Sequence, residues 1–183
     1  MKIDLVLLAA GNSRRFHGNK LLHPYKGKPL ILHIFDQIDP SLFHRVLVVS
    51  QYPAICDLAK RYGFSFTINP HPECGLSSSL QQGMNALPDS EAILFLVADM
   101  PHFKTDTLRR MVNAANEEQI ISAYDGEIKN PMLFPKKYFA QLHALRADCG
   151  AKKVALVNRE MIVPIKVDPF ELLDIDTRDD IKK

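Results

Sequence analysis

The stretch Ile3-Asp4-Leu5-Val6-Leu7-Leu8-Ala9-Ala10-Gly11-Asn12-Ser13-Arg14-Arg15-Phe16-His17-Gly18-Asn19-Lys20 is the most informative in this chain. From Ile3 to Ala10 it is apolar at consecutive positions except at Asp4, the pattern of a strand covered on both faces. That run is too short to cross a bilayer or to serve as a signal core. Past Ala10 the residues are small, then cationic. Small residues let backbone amides approach phosphate oxygens, while Arg15 and Lys20 can offset the charge growing on a departing polyphosphate. The spacing matches neither G-x-x-x-x-G-K-[ST] nor G-x-G-x-x-G, so the two familiar phosphate-loop designs fail. On composition alone, a turn with solvated Arg and Lys reads as well as a phosphate site.

Beyond this segment, strand-like apolar runs recur at Arg45–Ser50, Phe64–Asn69, Ala92–Ala98, Ile120–Tyr124 and Met161–Val167. Between them the punctuation predicts helices at Pro29–Ile38, at Ala54–Tyr62 with Gly63 as C-cap, and at Leu108–Asn116 capped by Thr105 or Asp106. Further helices are expected at Lys137–Ala147, Ala151–Val157 and Thr177–Lys183. The segment Asp125–Pro135, with turn-like Asp125-Gly126 and Asn130-Pro131, reads as an excursion from the sheet that could cover a cleft. The alternation implies an α/β fold with a mostly parallel, Rossmann-like sheet and helices on both faces. No repeat or flexible linker divides the chain, so one domain is expected over residues 1–183.

Composition narrows the function. The 183 residues are 46% hydrophobic with a formal net charge of +2, and nucleic-acid binding would want a strongly basic face. No run approaches the roughly twenty apolar residues of a membrane span. The three cysteines form no C-x-x-C pair, which suits reduced thiols and a cytoplasmic setting. The histidines show no zinc-type grouping, and Cys74 has no nucleophilic constellation around it.

Carboxylates supply the other half of a candidate site. Asp99 ends the run Ile93–Ala98, and open α/β sheets bind ligands beyond the carboxyl ends of their strands. Mg²⁺ typically takes one or two protein carboxylates and completes its shell with water and phosphates. Taken alone, an Asp before Met100-Pro101 reads more readily as a turn cap. Asp174 and Asp176 alternate across Ile175, so in an extended segment both face one way and one or both could reach a metal. Asp176 or Thr177 equally suits the N-cap of a last helix. Gly75-Leu76-Ser77-Ser78-Ser79 stands at a helix start, where amides and hydroxyls either bind an anion or ribose or simply cap.

Several of these motifs occur together and in order. Ala9-Ala10-Gly11-x-Ser13-x-Arg15-x-x-x-x-Lys20 with Leu21-Leu22 and Pro24 is followed by Asn69-Pro70, the Gly75–Leu80 segment and Val97-Ala98-Asp99-Met100-Pro101. Asn130-Pro131-Met132-Leu133-Phe134, Asp148-Cys149-Gly150-Ala151-Lys152 and Asp174-Ile175-Asp176-Thr177 complete the set. Over nearly its whole length the chain thus resembles the molybdenum cofactor cytidylyltransferase family and its MobA-like relatives.

That resemblance implies a nucleotide-diphospho-sugar-transferase-like fold and Mg²⁺-dependent transfer of CMP from CTP to the phosphate of molybdopterin, releasing pyrophosphate. The form Ala9-Ala10-Gly11 favours CTP over GTP. By the same resemblance Ala9, Ala10, Gly11, Asn12 and Ser13 hold the nucleotide, Arg15 and Lys20 its phosphates, and Gly75 and Ser79 belong to a substrate loop. Lys20, Arg15 and Asp99 become the catalytic set, with Asp99 and Asp176 as metal ligands. Asn130 and Pro131 stand where the family has His-Pro, in a segment that borders the acceptor, and Asp148 and Gly150 sit in a G-D-x-G-A pattern with Ala147 in place of its first glycine, which either positions the second substrate or simply starts a helix. The expected partners are a nucleoside triphosphate, a phosphorylated small-molecule acceptor and a molybdoenzyme apoprotein. Two departures stand out. His17 replaces a glycine, and Asn130 replaces a titrating imidazole, which leaves open another acceptor, another base, or a non-catalytic role in cofactor delivery.

Overall fold

A computed structural model describes residues 1–16 and 18–182; the departure at His17 lies outside them. The strands are β1 (Ile3–Ala9), β2 (Pro24–Tyr25), β3 (Lys28–Pro29), β4 (Arg45–Ser50), β5 (Ser65–Ile68), β6 (Ala92–Val97), β7 (Ile120–Tyr124), β8 (Ile128–Pro135) and β9 (Ile162–Lys166). The helices are α1 (Leu30–Phe35), α2 (Pro53–Arg61), α3 (Leu76–Asn85), α4 (Thr105–Ala114), α5 (Phe139–His143) and α6 (Lys152–Val157).

β1 lies inside a seven-stranded sheet of order β5-β4-β1-β6-β8-β7-β9, while β2 and β3 form a separate small ribbon. The pairs β1/β4, β1/β6, β4/β5 and β7/β9 are parallel, and only β8 runs against its neighbours. The unbroken apolar run of β1 follows from this position. Leu5, Leu7 and Ala9 face a core shared with α1, α2 and α4, whereas Val6 and Leu8 face one shared with α3, α5 and α6. Helices therefore cover both faces, as the alternating pattern implies. Asp4, the one break in the run, is fully buried and takes a two-pronged hydrogen bond from Arg45, 3.1 Å from Nε and 2.8 Å from Nη2. A paired carboxylate of this kind avoids the several kcal/mol that an isolated buried charge would cost.

Four local expectations are corrected. The expected excursion at 125–135 shrinks to a turn at 125–127: Ile128–Pro135 is a strand inserted between β6 and β7, with Met132, Leu133 and Phe134 fully buried. The turn-like Asn130-Pro131 is absorbed by a bulge, because the ladder pairs Ser122 with Met132 and Ala123 with Lys129, leaving these two residues over. The stripe at 137–147 breaks into a 3₁₀ turn, Lys136–Tyr138, and the short α5, after which Ala147 adopts a positive φ of 56°. Thr105 does not cap α4 either: its hydroxyl bonds the Gln37 carbonyl at 2.9 Å, and Lys104 occupies the N-cap. The expected terminal helix is a 3₁₀ turn at Asp180–Lys182. Among the described residues no helix is long and apolar enough to cross a membrane.

Candidate active site

Strand geometry brings the two halves of the site together. Leu8 of β1 pairs with Val97 of β6, so the segments after both strands leave the same edge of the sheet. There the Ala98 amide donates to the Leu8 carbonyl at 3.2 Å and the Ile175 amide to the Asp99 carbonyl at 3.0 Å. The second bond lays the C-terminal segment alongside β6. Since Ile175 is buried, Asp174 and Asp176 flank it.

The loop after β1 is anchored at both ends. Phe16 is 1% exposed, and its carbonyl accepts from Arg178 Nε at 3.3 Å while the guanidinium lies over its ring. Asn19 caps the 3₁₀ turn Lys20–Leu22 by accepting from the Leu21 amide, and Leu21 is buried. Just past β4, Gln51 Nε2 donates to the Ala10 carbonyl at 2.8 Å and to Asn12 Oδ1 at 2.9 Å, and the Tyr52 hydroxyl donates to the Gly11 carbonyl at 3.2 Å. Sequence reasoning misses Gln51 and Tyr52. The available signal is their place just past the carboxyl end of a run expected to be parallel to the first.

With the loop held, Lys20 Nζ lies 2.7 Å from Asp99 Oδ2 and 3.1 Å from Asp176 Oδ1, and Arg15 Nη2 lies 2.7 Å from Asp176 Oδ2. The Lys20 side chain is only 11% exposed. Burial opposes its charge, yet the Asp99 and Asp176 carboxylates outweigh that and hold its pKa above the ordinary lysine value. Partial desolvation, then the charges of Asp176 and Asp99, raise the Asp174 carboxyl.

The other wall is the start of α3. Gly75 has φ +80° and ψ −165°, and a Cβ there would stand 2.8 Å from the Ala147 backbone and from the Asp148 Cα. Asp148 Oδ1 accepts from the Leu76 amide at 3.3 Å, and the Ala147 carbonyl accepts from the Ser77 amide at 3.3 Å and its hydroxyl at 2.7 Å. Of the two readings of this helix start, anion site or cap, the amides of Leu76 and Ser77 follow the second, being taken by the 147–148 segment. Asn69, 2% exposed, donates to the hydroxyls of Ser78 and Ser79 and fixes the serines.

A cavity of about 690 Å³ lies between the walls, lined by Ala9, Ala10, Gly11, Asn12, Ser13, Arg15, Lys20, Gly75, Ser79, Asp99, Asp148 and Asp176. Leu76 of the Gly75–Ser79 segment lines it too, as do Glu73 and Cys74, which carry no signal in the sequence. Among the described residues, Asn130, Pro131 and Gly150 do not. Asn130 and Pro131 sit in the β8 bulge, and Gly150 packs on Leu76, whose Cδ2 would lie 2.8 Å from an added Cβ.

The carboxylates suit a divalent cation. Asp99, Asp174 and Asp176 each bring one oxygen to within 4.8 Å of the others, and Asp99 Oδ1 is buried without a hydrogen-bond partner. An orphaned buried carboxylate oxygen is costly unless a further cation or donor completes it. All-oxygen donors favour a hard ion such as Mg²⁺ or Mn²⁺.

A cationic loop in direct contact with a carboxylate cluster, together forming one wall of a cavity at the strand ends, is an arrangement whose chemistry suits a polyphosphate and a divalent ion. The family is then plain: residues 5–161 match the MobA-like NTP transferase domain model, and the chain belongs to that family. It is 29% identical over 187 residues to the purine catabolism protein PucB of Bacillus subtilis, covering 94% of this chain and 90% of PucB. Its match to the bifunctional protein GlmU of Nitrosomonas europaea is 27% identical and covers 72% of this chain but only 29% of GlmU, so the chain spans less than a third of that relative. Among solved structures, Rv0371c of Mycobacterium tuberculosis in complex with manganese superposes with a TM-score of 0.81 at 24% identity, covering 100% of this chain and 97% of that one. The molybdopterin-guanine dinucleotide biosynthesis protein A of Archaeoglobus fulgidus gives 0.69 at 18% identity, with 98% and 95% covered. Both likenesses speak to the shared fold.

Proposed function

We propose that this chain transfers a nucleoside monophosphate, CMP from CTP, to the phosphate of a molybdopterin-type acceptor and releases pyrophosphate, in the cytoplasm. The carrying observation is that Lys20 and Asp99, 79 residues apart in sequence, meet at 2.7 Å on the wall of a cavity of about 690 Å³. An acceptor phosphate oxygen attacks the α-phosphorus in line, and the bond from that phosphorus to the bridging oxygen breaks, its electron pair leaving with pyrophosphate. Lys20, Arg15 and the amides of residues 10–13 hold the triphosphate and offset the charge arriving on the leaving group. A divalent ion, Mg²⁺ in this reading, would be held by Asp99 and Asp176 and would supply Lewis-acid charge to the phosphates. Ala9 and Ala10 speak for cytosine, through the resemblance to the cytidylyltransferases. Asp148, on the cavity wall, is assigned to the acceptor, and a molybdoenzyme apoprotein is the partner that would receive the product.

The test is pyrophosphate release with CTP, GTP and ATP offered separately, with Mg²⁺ and molybdopterin. Release with CTP alone supports the reading. A GTP preference overturns the base assignment, release only with another phosphorylated metabolite overturns the acceptor, and tight cofactor binding without release makes this a delivery protein.

A further inference from the structure

Lys20 stands where a cation is wanted. Its ammonium bridges Asp99 Oδ2 and Asp176 Oδ1, at 2.7 and 3.1 Å, inside a cluster whose three carboxylates each offer an oxygen within 4.8 Å of the others. Arg15 takes the remaining oxygen of Asp176 at 2.7 Å, while Asp99 Oδ1 stays buried and without a hydrogen-bond partner. Asp99 Oδ1 is open to a divalent ion, but both oxygens of Asp176 are engaged, Oδ1 by Lys20 and Oδ2 by Arg15, and two like charges in one small polar gap repel strongly. The two cations therefore compete. Lysine suits such a role because its charge rides on a flexible four-carbon stem and can move without the backbone following.

We propose that Lys20 is a resident stand-in cation: it keeps the Asp99–Asp176 pair from binding a divalent ion until a polyphosphate draws its ammonium away. The polyphosphate half rests on the transferase reading; the metal half rests on the geometry of these side chains. Thermodynamic reciprocity then couples the two ligands, since whatever removes Lys20 from the carboxylates raises their affinity for metal, and bound metal releases Lys20 toward phosphate. A lysine that merely stabilised the loop would have the opposite signature: its removal would loosen the cluster and weaken metal binding.

The experiment is nucleotide-free Mn²⁺ binding to the full chain, with free ion read by electron paramagnetic resonance, for wild type, Lys20→Met and Lys20→Met/Asp99→Asn. Lys20→Met is expected to bind Mn²⁺ roughly tenfold or more tightly than wild type, and Mn²⁺ is expected to raise its unfolding midpoint further. The double variant should lose that gain. Unchanged or weaker affinity in Lys20→Met, no binding by any of the three, or a gain that survives Asp99→Asn would each overturn the proposal. If Lys20→Met does not fold, Lys20→Gln is read by the same outcomes. Wild-type pyrophosphate release is measured alongside: turnover with no affinity gain sinks the stand-in role and spares the transferase, whereas the gain without turnover does the reverse.

Discussion

Lys20 and Asp99 form an ion pair at 2.7 Å in which the lysine is held by a second carboxylate, Asp176, at 3.1 Å. The arrangement is asymmetric. Removing Asp99 leaves Lys20 paired with Asp176, but removing Lys20 leaves Asp99, Asp174 and Asp176 within 4.8 Å of one another with no ammonium between them.

Lys20→Ala is accordingly expected to lower the metal-free unfolding midpoint more than Asp99→Ala does. The linkage has a definite sign: a lysine whose folded pKa is raised contributes stability that is complete below the ordinary value of 10.5 and is lost as pH rises through the higher folded value. The gap between wild type and Lys20→Ala should therefore hold through neutral pH and narrow only above about 10.5. Thermal unfolding from pH 7 to 11 checks this; a gap that closes by pH 9 would point to a different cause.

Asp174 carries the opposite sign. Its folded carboxyl is raised by partial desolvation and by Asp176 and Asp99, so its ionised form destabilises the metal-free protein above the ordinary value of 3.8. Asp174→Asn should raise the unfolding midpoint at pH 7 in chelator, and the gain should vanish below pH 3.8, where the carboxyl is protonated in both folded and unfolded chains. A midpoint at pH 7 equal to or below wild type would contradict this account.

Gly75 occupies a backbone region, φ +80° and ψ −165°, that is essentially closed to other residues. Gly75→Ala combines that strain, about 1–3 kcal/mol, with a Cβ 2.8 Å from the Ala147 backbone. The expected results are lost stability in denaturant titration and a higher KM for nucleotide, as the 147–148 segment is pushed off α3.

Gly83 tests the core away from the site. On α3 an added Cβ would gain about 1 kcal/mol of helix propensity, but it would stand 2.7 Å from Val6 Cγ1 and 3.4 Å from Val49 Cγ2, both on stiff β-branched side chains. Overpacking of this kind costs about 1–3 kcal/mol, so Gly83→Ala should be destabilising by about 1 kcal/mol while pyrophosphate release survives. A stabilised variant would show that α3 can withdraw from β1.

Much of the fold is legible in the sequence because a fully covered strand has an unmistakable apolar run, and β1, β4, β6 and β7 announce themselves this way, while the edge strand β9, only partly buried, is read from its Ile and Val residues. β8 is hidden by Asn130-Pro131, since a bulge that accommodates a proline leaves no local trace distinguishing it from a turn. At the site, Lys20 and Asp99 stand out as candidates by type and position at strand ends, but only the resemblance lifts Asp99 above a turn cap and Lys20 above a solvated turn. Gln51, Tyr52 and Arg178 are not, because they act on backbone carbonyls of residues far along the chain, a relation that only topology creates. The role of the 147–148 segment in capping α3 is invisible for the same reason, although Asp148 itself belongs to a recognisable motif.

If the β1 loop and the carboxylate at position 99 form one machine for nucleotidyl transfer, its plainest readout is pyrophosphate release from CTP and molybdopterin in Mg²⁺. Wild type is expected to show release that stops in chelator and falls by about 10²–10³-fold in both Asp99→Ala and Lys20→Ala, each still folded by circular dichroism. Full activity in either variant, or no release by wild type with any nucleoside triphosphate and phosphorylated acceptor, would contradict it.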